Sequence, residues 1–93
     1  MICGIGLAFR LKYEERFYKD AKGLPKETLV RIKNRLEVMT EMADRFAHNR
    51  LKGARFAGMY RLRIGDYRLF YRIDWRDETI IVLTIKHRRE AYR

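Results

Sequence analysis

The chain has 93 residues, of which 47% are hydrophobic and 13% aromatic, and its formal net charge is +10. A chain of this length can bury one core but not two, and its apolar content is sufficient for that core, so the high charge does not indicate disorder. No apolar run reaches the ~20 residues of a membrane span. The apolar opening Met1–Phe9 has no basic residue before it, unlike a signal peptide. We expect a cytoplasmic protein with one domain over residues 1–93, in which 1–6 form a frayed extension.

The first half predicts a strand and two helices. Residues 7–13 alternate apolar and polar side chains, which predicts a strand. Helical spacing follows from Glu14 until Gly23, and Pro25 suits the start of a second helix. Apolar residues then repeat at intervals of three and four, which predicts a buried helix face. Its members are Leu29, Ile32, Leu36, Met39, Ala43 and Phe46.

The second half predicts three strands. His48-Asn49-Arg50 then leads into a loop at Leu51-Lys52-Gly53. Residues 58–64 and 67–73 alternate around Gly65-Asp66, a hairpin signal. Residues 79–85 are apolar and β-branched on both faces, which is typical of a central strand. The predicted fold is α+β with the order β-α-α-β-β-β, a helical hairpin on one face of a mostly antiparallel four-stranded sheet.

The charge is concentrated in the second half. Residues 48–93 hold 12 cations and 5 acidic residues, and ten of the cations are arginine. Alternation places Arg61 and Arg63 on one face, ~7 Å apart along the strand, and Arg68 begins the next strand. Arginine matches phosphate oxygens with a planar fork of donors. This pattern indicates a phosphate-binding surface, although a solvated face or an acidic protein partner would give a similar composition.

The residue inventory limits the chemistry. Cys3 is the only cysteine, His48 and His87 are 39 positions apart, and the chain has no serine. We therefore expect no disulfide, no metal site and no cofactor. RNA cleavage by its own 2′-hydroxyl remains possible, because the substrate supplies the nucleophile and the protein needs only to orient groups, stabilise charge and move protons. Tyr92, Tyr60 and His87 are the candidates for proton transfer.

Several segments in this order resemble the RelE/ParE toxin superfamily over residues 7–93. They are Leu51-Lys52-Gly53, Tyr60-Arg61-Leu62-Arg63, Gly65-Asp66-Tyr67-Arg68-Leu69-Phe70-Tyr71 and His87-Arg88-Arg89-Glu90-Ala91-Tyr92. The resemblance implies a type II toxin that cleaves mRNA in the ribosomal A site without metal. It also implies a RelB-like antitoxin, with which the toxin would form a heterotetramer.

The resemblance also implies roles for individual residues. Arg61, Arg63, Arg68, Arg88 and Tyr92 match the family's catalytic positions, with Tyr92 as general base. The spacing from Arg88 to Tyr92 is one residue shorter than in some members. Further RNA contacts are expected from four other cations, Lys52, Arg55, Lys86 and Arg89.

Two other functions fit the same superfamily fold. One is a ParE-like inhibitor of DNA gyrase, and the other is a degenerate, non-toxic relative that only binds an antitoxin. The arginine set favours the ribonuclease, because a protein that only binds protein has no need for convergent arginines.

Overall fold

The computed structural model describes residues 8–44, 48–50 and 58–91. These residues form two helices and a sheet of four longer strands with one two-residue strand at its edge. The elements in chain order are β1 (Arg10–Tyr13), α1 (Glu15–Ala21), α2 (Lys26–Glu41), β2 (Asn49–Arg50), β3 (Tyr60–Ile64), β4 (Tyr67–Asp74) and β5 (Thr79–His87).

The strands lie in the spatial order β1-β5-β4-β3-β2. β1 pairs with β5 in parallel, and the other neighbours are antiparallel. The predicted architecture is confirmed, including the central place of the last strand. The short strand β2 was not predicted: Asn49 and Arg50 pair with Arg61 and Tyr60, and the predicted loop at residues 51–53 lies outside the described residues. A two-residue strand gives no alternation to recognise.

The core lies on one face of the sheet. Ile32, Leu36 and Met39 of α2 are 3%, 0% and 0% exposed, as their spacing predicts. They share a cluster with apolar side chains of β3, β4 and β5, and with Phe17 of α1. The members that the strands contribute are Leu62, Ile64, Leu69, Tyr71, Ile80, Val82 and Ile85.

The ends of the predicted elements need correction. Leu29 is 38% exposed, so the buried stripe of α2 begins at Ile32. Ala43 is buried, but it follows the last helical residue, Glu41. β1 begins at Arg10 rather than at position 7. Leu7, Phe46 and the predicted extension 1–6 lie outside the described residues.

The strand register assigns the side chains of β3, β4 and β5 to two faces. Leu62, Leu69 and Ile85 are successive partners on the core face. Arg63, Arg68 and Lys86 are successive partners one position along, on the opposite face. A register shift occurs where Phe70 pairs with Thr84 and Tyr71 pairs with Val82. At this bulge, β5 advances by two residues where β4 advances by one. The alternation of faces along β5 therefore shifts by one position, so Val82 and Ile85 both reach the core.

α1 takes the place of β1 beside the second half of β5. The Glu14 N–H donates to the Val82 carbonyl at 2.9 Å, which ends the β1 ladder, and α1 follows immediately. Phe17 enters the core, and Asp20 bonds to the Thr84 and Lys86 side chains on the opposite face. α1 therefore contacts groups belonging to both faces of the sheet.

Candidate nucleic-acid interface

Three cations form a row across the face opposite the core. Arg63 of β3 pairs with Arg68 of β4, which pairs with Lys86 of β5. Directly opposite side chains in an antiparallel sheet have Cβ atoms ~4.5–5.5 Å apart, and like charges at that spacing destabilise the sheet. Arg61 lies on the same face, two residues before Arg63. We call these four residues the basic face.

Arg68 is held against the β3–β4 turn. Its guanidinium donates to the carbonyl oxygens of Gly65 at 3.0 Å and Tyr67 at 2.9 Å. Gly65 has φ +58° at the first turn position, where a type II′ hairpin places glycine. The two carbonyls fix the orientation of the guanidinium. A donor fixed before its ligand arrives loses less conformational freedom when it binds.

Arg88 reaches the same turn from the end of β5. Its backbone N–H donates to the Asp66 carbonyl at 2.7 Å, and its Nε lies 3.9 Å from Asp66 Oδ1. Both side chains are more than half exposed, so this ion pair alone stabilises the fold by less than about 1 kcal/mol. Arg68 and Arg88, 20 positions apart in sequence, are thus both attached to one two-residue turn.

Two residues near these cations were missed by sequence reasoning. Arg31 of α2 lies so near the turn that a Cβ added to Gly65 would be 3.1 Å from its guanidinium nitrogen. Asp20 accepts hydrogen bonds from the Thr84 hydroxyl and, at 3.3 Å, from Lys86 Nζ. The sequence does carry a signal for Asp20, because a carboxylate in the last turn of a helix opposes the helix dipole.

The structure does not bring every predicted residue to the basic face. Arg89 is exposed in the turn that follows β5, and its backbone N–H donates to His87 Nδ1 at 3.2 Å. Lys52, Arg55 and Tyr92 lie outside the described residues.

Two of the three candidates for proton transfer lie on the core face. Tyr60 stacks on Tyr71 with ring centroids 5.5 Å apart. His87 pairs with Tyr67 in the ladder and meets its ring edge-on at 5.5 Å. Neither side chain therefore lies on the same face of the sheet as Arg68.

His48 and Tyr71 form a polar cluster beside the ring of Tyr60. His48 Nε2 bonds to the Ala43 carbonyl at 2.8 Å, which requires a proton on Nε2. In the neutral ring, Nδ1 then accepts from the Tyr71 hydroxyl at 2.6 Å. Burial, with a smaller contribution from Tyr60, raises the pKa of Tyr71 well above its usual value. Tyr71 therefore stays a neutral donor and contributes to the core rather than to chemistry.

Residues 8–44, 48–50 and 58–91 contain neither a metal-binding cluster nor a membrane-spanning helix. No group of three or more His, Cys, Asp or Glu side chains there is arranged to hold a metal ion. Neither helix has the length and apolar character needed to cross a bilayer.

Comparison with known proteins identifies the family. Residues 11–92 match the model of the ParE toxin of the type II toxin–antitoxin system parDE. A toxin named RelE1 from Methanocaldococcus jannaschii is 33% identical over 90 residues, covering 94% of this chain and 98% of that protein. The chain belongs to the RelE/ParE family of type II toxins.

Solved structures agree with this assignment. The archaeal RelE–RelB complex of Pyrococcus horikoshii contains a chain with a TM-score of 0.72 and 28% identity, covering 90% of this chain and 99% of that one. The RelBE2 complex of Mycobacterium tuberculosis gives a TM-score of 0.76 over 89% of this chain and 94% of that one, at 24% identity. The second similarity supports the fold alone.

Proposed function

We propose that this toxin is a metal-independent endoribonuclease that cleaves mRNA in the ribosomal A site and thereby stops translation. The observation that carries the proposal is the convergence of Arg63, Arg68 and Lys86 across three strands, with Arg88 attached to the same hairpin turn. Such a cluster of like charges is costly on an empty surface and favourable around a phosphodiester.

The proposed reaction uses the substrate's own nucleophile. The 2′-hydroxyl oxygen attacks the adjacent phosphorus in line with the leaving 5′-oxygen, forming the O2′–P bond and breaking the P–O5′ bond. The 2′-hydroxyl loses its proton, and the 5′-oxygen gains one. The products are a 2′,3′-cyclic phosphate and a 5′-hydroxyl. The protein must therefore stabilise the added charge on the phosphate oxygens and move two protons.

The described residues suit the first of these tasks. Arg68 is oriented by two carbonyl oxygens, and we assign it to the scissile phosphate together with Arg88. Arg61 and Arg63, ~7 Å apart along β3, would contact neighbouring phosphates. Tyr92 is assigned as the general base that accepts the 2′-hydroxyl proton, helped by the cations near it in sequence.

The remaining predicted cations would extend this surface. Lys86 lies in the row itself, and Lys52, Arg55 and Arg89 are proposed to contact RNA backbone. Each such contact adds affinity that weakens as salt rises, because neutralising a phosphate releases bound counter-ions.

We further propose a RelB-like antitoxin as the physiological partner. Relatives with this fold have been solved as RelE–RelB complexes, including those of Pyrococcus horikoshii and Methanococcus jannaschii. A chain with net charge +10 favours a partner with acidic stretches. In the neutralised state we expect a heterotetramer of two toxins and two antitoxins.

Controlled expression in bacterial cells tests this function. We expect protein synthesis to stop within minutes while DNA remains intact, and co-expression of the antitoxin to restore synthesis. In a purified system, we expect mRNA to be cut when ribosomes are present and to stay intact without them. DNA damage with intact mRNA would instead support gyrase inhibition, which the ParE description of the family model keeps as the second candidate.

A further inference from the structure

Asp20 is the residue that the proposed reaction leaves unexplained. Its carboxylate accepts hydrogen bonds from the Thr84 hydroxyl and from Nζ of Lys86, a member of the basic face. Its side chain is only 19% exposed, and that of Lys86 is 28% exposed. A carboxylate beside an RNA-binding surface should repel RNA, so its presence calls for a specific role.

Stabilisation of α1 does not explain this residue. Asp20 lies in the last turn of the helix Glu15–Ala21, where the dipole disfavours negative charge. The first turn already has Glu15, which pairs with Lys19 four residues later. The bonds of Asp20 lead instead to β5, 64 and 66 positions away in sequence.

The geometry of the two bonds indicates positioning. The Thr84 hydroxyl donates to Oδ2, which holds the carboxylate against the strand, and Oδ1 faces the Lys86 ammonium at 3.3 Å. Lys86 is a flexible side chain next to Arg68 in the register, and repulsion would otherwise leave it free to swing away. The carboxylate fixes the ammonium at the α1 end of the cationic row.

We propose that Asp20 is a positioning residue that orders Lys86 for contact with the RNA backbone. This inference rests on the proposed ribonuclease function. Asp20 does not touch RNA; it lowers the entropy that Lys86 would lose on binding a phosphate. Ordering a fully free lysine side chain on binding lowers the affinity for RNA by up to about twentyfold. If Asp20 orders Lys86 only partly beforehand, it raises the affinity for RNA by about fivefold.

The test uses single-turnover cleavage of mRNA on programmed ribosomes, with toxin in excess. We expect Asp20→Asn to raise the toxin concentration for half-maximal cleavage about fivefold and to leave the maximal rate within twofold of wild type. Lys86→Ala should raise that concentration at least as much. In the Lys86→Ala background, adding Asp20→Asn should change it by less than twofold, because Asp20 acts through Lys86.

Glu15→Gln is the matched control. It removes one negative charge from the same short helix, but Glu15 bonds to Lys19 and not to Lys86. We expect its half-maximal concentration to match that of wild type. If Asp20→Asn fails to fold in a thermal unfolding assay, Thr84→Val replaces it, because it frees the carboxylate without changing any charge and should shift the concentration in the same direction.

The outcomes separate the two proposals. The role of Asp20 would be overturned if Asp20→Asn lowered the half-maximal concentration, or if it shifted that concentration equally with Lys86 and with Lys86→Ala. An equal shift from Glu15→Gln would overturn it too. Each of these results leaves cleavage by the wild type, and so the ribonuclease function, in place. Failure of the wild type to cleave mRNA on ribosomes would overturn the ribonuclease function and this inference together.

Discussion

Replacing Arg68 with alanine should abolish most of the activity and leave the fold intact. The guanidinium of Arg68 is fixed by two carbonyl oxygens, those of Gly65 and Tyr67. Removing one preorganised donor from a developing oxyanion lowers the rate by about 10²–10³-fold, or roughly 2.7–4 kcal/mol of transition-state stabilisation. We expect a loss of that size in kcat/KM for mRNA cleavage.

The effect on stability should be much smaller. The variant loses two hydrogen bonds to the Gly65 and Tyr67 carbonyls, which are at most partly buried, so each contributes about 1 kcal/mol or less. Removing the cation also relieves repulsion from Arg63 and Lys86. These changes oppose each other, and we expect the free energy of unfolding to fall by less than about 2 kcal/mol.

The assay is single-turnover cleavage on programmed ribosomes, with chemical denaturation measured in parallel. Arg72→Ala is the matched control, because Arg72 is an exposed arginine on the same strand that pairs with Ile81 away from the cationic row. Arg68→Lys keeps the charge but loses the planar fork, and its rate should fall between those of wild type and Arg68→Ala. Cleavage by Arg68→Ala within threefold of wild type, or an equal loss in Arg72→Ala, would refute the phosphate assignment.

Three other variants test the base, the core and a buried phenol. Tyr92→Phe should lower the maximal cleavage rate at least about 10²-fold if Tyr92 is the general base, and cleavage at the wild-type rate would exclude it. Leu36 is fully buried, so Leu36→Ala should lower the free energy of unfolding by about 2–5 kcal/mol in urea titrations; a loss under 1 kcal/mol would contradict the core assignment. Because burial raises the pKa of Tyr71, the unfolded chain loses this proton first as pH rises. The contribution of Tyr71 to the free energy of unfolding is complete below about pH 10. Above that pH it falls by up to about 1.4 kcal/mol per pH unit. In Tyr71→Phe, the free energy of unfolding should therefore decline less steeply between pH 10 and 11 than in the wild type. The same slope in both proteins would contradict the raised pKa of Tyr71.

Local patterns were enough to predict most of the fold. Alternation in β3 and β4 around Gly65-Asp66 fixes which side chains share a face, so the placement of Arg61, Arg63 and Arg68 together followed from the sequence. Leu29 was wrongly included in the buried stripe, because periodicity gives the direction of a side chain but not how far the sheet extends beneath it.

The remaining features depend on distant pairings. The attachment of Arg88 to the turn at Asp66 requires the β4–β5 register, which a single sequence does not specify. The contact between Asp20 and Lys86 requires the parallel alignment of β1 with β5, which brings α1 alongside the end of β5. The bulge opposite Phe70 and Tyr71 likewise has no local sequence signal.

The chemistry of the cut ends tests the central claim most directly. Purified toxin is added to ribosomes carrying a defined mRNA, and the new 5′ ends are mapped with and without prior phosphorylation by a polynucleotide kinase. Our account predicts cuts within the A-site codon that leave 5′-hydroxyl and 2′,3′-cyclic phosphate ends. Ends with a 5′-phosphate, or mRNA that stays intact on toxin-treated ribosomes, would contradict it.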